Sequence, residues 1–193
     1  MDAYYLFAYI TGGIMVAYSV MLYIFPSRRL NLLLKAGVNA LNVINLVFVY
    51  LATNDNLVIA GMVVTGICCI REILFSFRND AKVLDDILWP IGISILLVSS
   101  LIFTYKSPLS LLPTIGSVIS TMGFYANDQK LFKFGALISC SLFVTYYAIL
   151  IPSSNVLTIF SLACAAAGLL SAIIGIIILY SKEAKDKKEA QKG

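Results

Sequence analysis

Seven runs of roughly twenty mainly apolar residues, separated by short polar turns, leave this chain almost no choice of fold. They cover approximately residues 4 to 25, 30 to 52, 57 to 77, 87 to 105, 109 to 126, 131 to 151 and 156 to 180. A helix rises about 1.5 Å per residue, so about twenty residues cross a hydrocarbon layer about 30 Å thick. Of 193 residues, 60% are hydrophobic and 12% charged, and the mean hydropathy is +0.92, beyond what a water-soluble domain of this size tolerates. Lipid offers the backbone no hydrogen-bond partner, and the runs lack the alternation of barrel strands, so each reads as a helix. The expected architecture is an all-α integral membrane protein with seven transmembrane helices. The first run has no basic region before it and no small-residue cleavage site after it, so it is expected to persist as a helix rather than be removed as a signal peptide.

The net charge of +4 is distributed by side. Arg28, Arg29 and Lys35 follow the first run, Arg78 and Lys82 the third, Lys130 and Lys133 the fifth, and five lysines the seventh. The intervening loops Thr53-Asn54-Asp55-Asn56 and Pro152-Ser153-Ser154-Asn155 carry no Lys or Arg, and only Lys106 falls on their side. By the positive-inside rule the basic loops and the C-terminus are cytoplasmic and the N-terminus is outside, in a cell inner (plasma) membrane. That pattern accounts for the positive charge without a nucleic-acid partner. The chain has no His, and Cys68, Cys69, Cys140 and Cys164 all lie within apolar runs. Neither a disulfide framework nor a His-based metal or catalytic site is expected, and no cofactor is implied.

The runs divide as three, one and three. The second begins at Leu30 and the sixth at Leu131, the third near Leu57 and the seventh near Val156, an offset of about one hundred residues in each case. Four crossings separate the two starts, so the halves share one orientation. This predicts two parallel triple-helix bundles: residues 1–78, then a linker helix with its loops over 79–108, then a second bundle over 109–180. Residues 181–193 form a charged cytoplasmic tail that either prolongs the last helix or stays unfolded.

Polar residues within the runs mark candidate sites. Asn31, Lys35, Asn39, Asn42 and Asn45 recur at spacings of four, four, three and three, forming one stripe. Amides at mid-depth must face protein or water, so the stripe either glues helices together or lines a cavity. Arg71 and Glu72 stand side by side in the third run and point about 100° apart, so each needs a partner on another helix; Glu72 of a neighbouring protomer, Asp128, or carbonyls and hydroxyls lining the cavity are candidates for Arg71. An Arg71–Asp128 pair would make a gate between the halves. Ser117, Thr121, Ser139, Thr145 and Tyr147 supply the hydroxyls of the second half, with Ser139 opposite Asn39 and Thr145 opposite Asn45 at the repeat offset. Ser161, Ala165, Gly168, Ala172 and Gly175 form a small-residue face expected to pack helices rather than meet a ligand.

The segment Leu112-Pro113-Thr114-Ile115-Gly116-Ser117-Val118-Ile119-Ser120-Thr121, the Ile70-Arg71 pair with Arg78 seven residues later, and the three-one-three layout resemble the YgjV-type bacterial inner-membrane proteins. Where that family would carry a Trp and an amide near the end of helix six and an Arg in helix seven, this chain has Phe143, Tyr147 and Gly175. The layout is in turn similar to that of the SWEET sugar transporters and PnuC vitamin-precursor transporters, although no Pro-Gln dipeptide occurs in either half. What the resemblance implies is alternating access between two bundles. Amides and hydroxyls together offer donors and acceptors, which suits a small polar uncharged solute such as a sugar, nucleoside or vitamin precursor. The alternative is a non-transporting receptor or assembly protein holding a peptide, lipid or partner helix. No pairing of nucleophile with acid or base points to an enzyme. Partners are thus the solute and the lipid bilayer, with room for a homo-oligomer.

Overall fold

The structure is a computed structural model, which describes residues 3–53, 57–78, 85–105, 108–126, 128–150 and 156–190. Among them are seven helices and no strand: α1 (Ala3–Ser19), α2 (Arg28–Thr53), α3 (Leu57–Ser76), α4 (Leu88–Ser99), α5 (Leu111–Tyr125), α6 (Gln129–Leu150) and α7 (Val156–Ala190). A single further turn, Leu101–Thr104, prolongs α4, and a 3₁₀ turn, Pro108–Ser110, leads into α5. Arg28–Ala52, Gln129–Ile149 and Ile159–Ala190 are long and apolar enough to cross a membrane, whereas α1 and α4 have 17 and 12 residues. Lys82, Lys106 and most of the two bare loops lie outside the described residues.

Large apolar side chains cover the outside, and many polar groups are buried beside the apolar core. Ile70, Ile95, Ile102 and Leu170 face outward, while Asn31, Asn45, Arg71, Glu72, Ser120 and Thr121 are buried. Water would favour the reverse, so this distribution, with the three long apolar helices, is that of a membrane protein.

α2 packs between α1 and α3, and α6 between α5 and α7. The two groups meet where α1 touches α7 and where α3 touches α5, while α4 rests on α5 and reaches α3. The backbones of α5 and α6 approach closely. A Cβ at Gly123 would stand 2.9 Å from the Leu131 carbonyl and 3.1 Å from Gly135 Cα, so only hydrogen fits there.

Two boundaries differ from the apolar runs. α1 stops at Ser19 although apolar sequence continues to Phe25. Pro26 disfavours helix at the residue before it, and the departing chain is tied to α7, where Tyr23 N–H donates to Ser171 Oγ at 2.7 Å. Gly175 leaves space for that turn, since a Cβ there would overlap the Tyr23 carbonyl. At the other end, α7 runs on to Ala190, so the charged tail is helical through that residue. Glu183 and Lys187 stand four apart, an arrangement that supports an exposed helix, and Glu183 also meets Lys130 of α6 at 3.0 Å.

Candidate functional site

A cavity of about 270 Å³ lies between the two helix groups, and all seven helices contribute to its wall. From the α1–α3 side come Ser19, Lys35, Asn39, Asn42, Thr65, Cys68 and Arg71. From the other side come Thr114, Ser117, Ser120, Ser139, Tyr147 and Ser161. Its lining reaches Thr104, Ser110, Tyr146 and Ser161, near the ends of α4 and α6 and the starts of α5 and α7. At the opposite end it stops at Tyr23 and Phe124.

Arg71 joins the two groups. Its Nη2 pairs with Glu72 Oε1 at 2.7 Å, while Nη1 donates to Ser120 Oγ at 3.1 Å, Thr121 Oγ1 at 3.0 Å and the Ser117 carbonyl at 3.1 Å on α5. The second oxygen of Glu72 accepts from Asn39 Nδ2 on α2 at 2.6 Å. Phe124 supplies a ring 5.1 Å from the guanidinium carbon. One cation and one anion thus tie α2, α3 and α5 together, with Arg71 2% and Glu72 0% exposed. The planar fork makes this geometry possible, since a single ammonium could not serve Glu72 and three acceptors on α5 in fixed directions.

Below Tyr23 and Phe124 the end bearing the basic residues is shut. Tyr23, Phe124 and Phe132 form a buried aromatic cluster with ring centroids 5.0 to 6.4 Å apart. Beneath it, cations hold backbone carbonyls. Arg28 donates to Phe124 O, at 2.6 Å through Nη2 and 3.2 Å through Nε, and to Phe75 O at 3.2 Å. Both carbonyls belong to last turns, where a helix leaves acceptors without partners and its dipole favours positive charge. Lys133 Nζ reaches Tyr23 O and Gly175 O, each at 2.9 Å. Arg78 donates to Tyr125 O, stacks 4.0 Å from that ring and pairs with Asp85 at 2.8 Å.

Of the sequence-predicted site residues, Asn39, Asn42, Ser117, Ser139 and Tyr147 line the cavity. Asn45 does not. It donates to the Ala8 carbonyl at 2.6 Å and Thr11 Oγ1 at 2.9 Å, fastening α2 to α1. The reason is helical drift, because each step of three falls about 60° short of a full turn, so a stripe spaced by threes winds off one face. Thr121 lies behind the wall, under Arg71. Thr145 is exposed and donates to Ser141 O, so the offset that paired it with Asn45 carries no shared environment.

The gate residues also differ from expectation. Glu72 pairs with Arg71 of its own chain, because the long arginine side chain spans the angle between neighbours. Asp128 is not a partner of Arg71. It precedes α6, where Oδ1 accepts from the Lys130 amide at 2.8 Å in the manner of an N-cap. Thr121, which Arg71 does reach, stands seven residues earlier, roughly 10 Å away along a helix.

Three readings change function. Ser161, Ala165 and Gly168 line the cavity, so only the lower part of the α7 small face is purely packing, with Ala172 buried and Gly175 against the Tyr23 turn. Lys133, taken as a topology marker, is 1% exposed and clamps two carbonyls. Lys35, which belongs both to the basic residues that set topology and to the polar stripe, sits seven residues inside α2 and lines the cavity. Its four-residue spacing from Asn31 and Asn39 was the available signal.

Comparison with known protein families, with curated proteins and with solved structures finds no match to this chain.

Proposed function

We propose that this protein is a secondary carrier or facilitator for a small polar solute, working by alternating access between two parallel triple-helix bundles that α4 joins. In this reading the chain crosses a plasma or inner membrane seven times, with its basic ends in the cytoplasm. The observation that carries it is the cavity itself: polar groups from both helix groups converge on one space whose lining runs to the Ser110 side and stops at aromatic rings on the basic side. A carrier caught with one end closed has this form. The helix contacts support the same reading, since α1 meets α7 and α3 meets α5, as an axis between two like-oriented triplets would generate. So does the resemblance to the YgjV-type proteins and, through them, to SWEET and PnuC transporters.

Uptake of labelled glucose, uridine, nicotinamide riboside and their charged derivatives into vesicles containing the purified protein tests it. Flux above empty vesicles, reduced by Asn42→Leu while the protein still inserts, is the expected result. Asn42 lines the cavity and, among the described residues, makes only a long 3.4 Å contact with Thr65, leaving its amide for a solute. Tight binding of a peptide or lipid without flux of any solute would instead assign the cavity to a receptor.

A further inference from the structure

Two cations border the cavity, and no Asp or Glu is among its described lining residues. Arg71 is balanced by Glu72, both of whose oxygens are already taken, one by Arg71 and one by Asn39. Lys35 has no such balance. Among the described residues no hydrogen bond or ion pair joins its ammonium to another group, and it is half-buried in the wall. It lines the same space as Cys68 of α3, Cys140 of α6 and Cys164 of α7, so it stands at the meeting of the two helix groups.

Lys35 is set within α2 rather than at its end. It lies seven residues, roughly 10 Å, inside the start of α2, and the cavity's lining ends at Tyr23 and Phe124 on that side. Ionisable groups at membrane depth pair with one another, meet water or serve a ligand. Lys133 and Arg28 show the usual solution in this protein, each capping backbone carbonyls. Lys35 lines the cavity, and among the described residues no protein acceptor meets its ammonium.

We infer that the solute carries an anionic oxygen group, a carboxylate or a phosphate, which Lys35 receives while Asn39, Asn42 and the hydroxyls opposite bind its polar body. The inference rests on reading the cavity as a solute site, and it replaces the uncharged solute that the amides and hydroxyls alone suggested. A neutral sugar would leave the ammonium facing hydroxyls. An anion balances it, and a charged acceptor forms the shorter and stronger hydrogen bond.

The test uses the purified chain in lipid vesicles with three probes that share one polyol body: gluconate, glucose 6-phosphate and glucose. Binding is read by thermal stabilisation and transport by uptake. Gluconate or glucose 6-phosphate is expected to stabilise the protein and glucose to do so far less. Which of the two anions acts separates carboxylate from phosphate. Lys35→Met should weaken anion binding about ten- to a hundredfold, the usual worth of a hydrogen bond to a charged group, and Lys35→Arg should keep most of it. Stabilisation by the anion without uptake keeps this inference and overturns the carrier reading. Glucose binding as well as the anions, neither anion binding, or Lys35→Met binding them as the parent does overturns the inference, and uptake of glucose alone would leave the carrier reading standing.

Discussion

Arg71 and Glu72, consecutive on α3, form a 2.7 Å ion pair whose side chains are 3% and 0% exposed. Burying such a pair is costly unless other groups serve its remaining donors and acceptors. Here Asn39 on α2 serves Glu72 while Ser117, Ser120 and Thr121 on α5 serve Arg71 Nη1; of the pair's own polar atoms, only Arg71 Nε goes without a partner among the described residues. The pair is therefore a joint between the helix groups rather than a local feature of α3.

The costs of removing the two partners should not add. Glu72→Leu is expected to cost about 3 to 5 kcal/mol, because it strands the guanidinium, and Arg71→Met about as much. The double variant should lose clearly less than the two losses combined. Unfolding of all four proteins in mixed micelles supplies the cycle, and strict additivity would show that the two charges do not depend on one another.

Asn45 should behave as a structural amide. Asn45→Leu removes its bonds to Ala8 O and Thr11 Oγ1 and is expected to cost about 0.6 to 2 kcal/mol of stability, with uptake per folded molecule unchanged. Thr145→Val, on the exposed face, should change stability by less than about 0.5 kcal/mol. Loss of uptake by the Asn45 variant at full stability would return that residue to the site.

The cavity cysteines report which end is open. In a chain retaining only Cys164, a membrane-impermeant thiol reagent should react faster from the Ser110 side than from the basic side, since the Tyr23–Phe124–Phe132 cluster closes the latter. A bound solute should slow that reaction. Equal rates from both sides would remove the aromatic cluster as a barrier.

Two glycines should respond oppositely to a methyl group. Gly123→Ala forces α5 from α6, with the Leu131 carbonyl and Gly135 Cα in the way, and should cost about 1 to 3 kcal/mol. Gly37→Ala meets nothing within 4 Å and sits within α2, where it should gain about 0.5 to 1 kcal/mol. Thermal melts of the two variants against the parent decide both signs.

Helical structure was legible because apolar runs of this length in lipid permit little else, and a cavity stripe was legible where steps of four keep residues near one face. Asn39 follows from that periodicity and Asn42 lies one step of three beyond it, whereas Asn45 needed the drift of a second step of three to be added up. Arg71 could be known to need partners, but their identity depended on which face of α5 meets α3, and that packing leaves no mark in spacing. The end of α1 was hidden for a related reason: Val20 to Phe25 read as more helix, Pro26 constrains only the residue before it, and contacts with Ser171 and Lys133, about one hundred residues and more away in sequence, hold the chain aside. Lysines 35 and 133 show the limit of charge counting, because a residue that satisfies the positive-inside pattern can also have its head group indoors.

The cations on carbonyls at the basic end have a thermodynamic consequence. Arg28, Lys133 and Arg78 hold the carbonyls of Phe75, Phe124, Tyr23, Gly175 and Tyr125, so that end cannot part unless each charged donor exchanges a carbonyl for a water molecule. Opening there is a hydration event, its barrier set by how readily solvent invades a layer now filled by aromatic rings. Lowering water activity with an excluded osmolyte should hold the protein shut at this end while leaving the cavity above it as accessible as before.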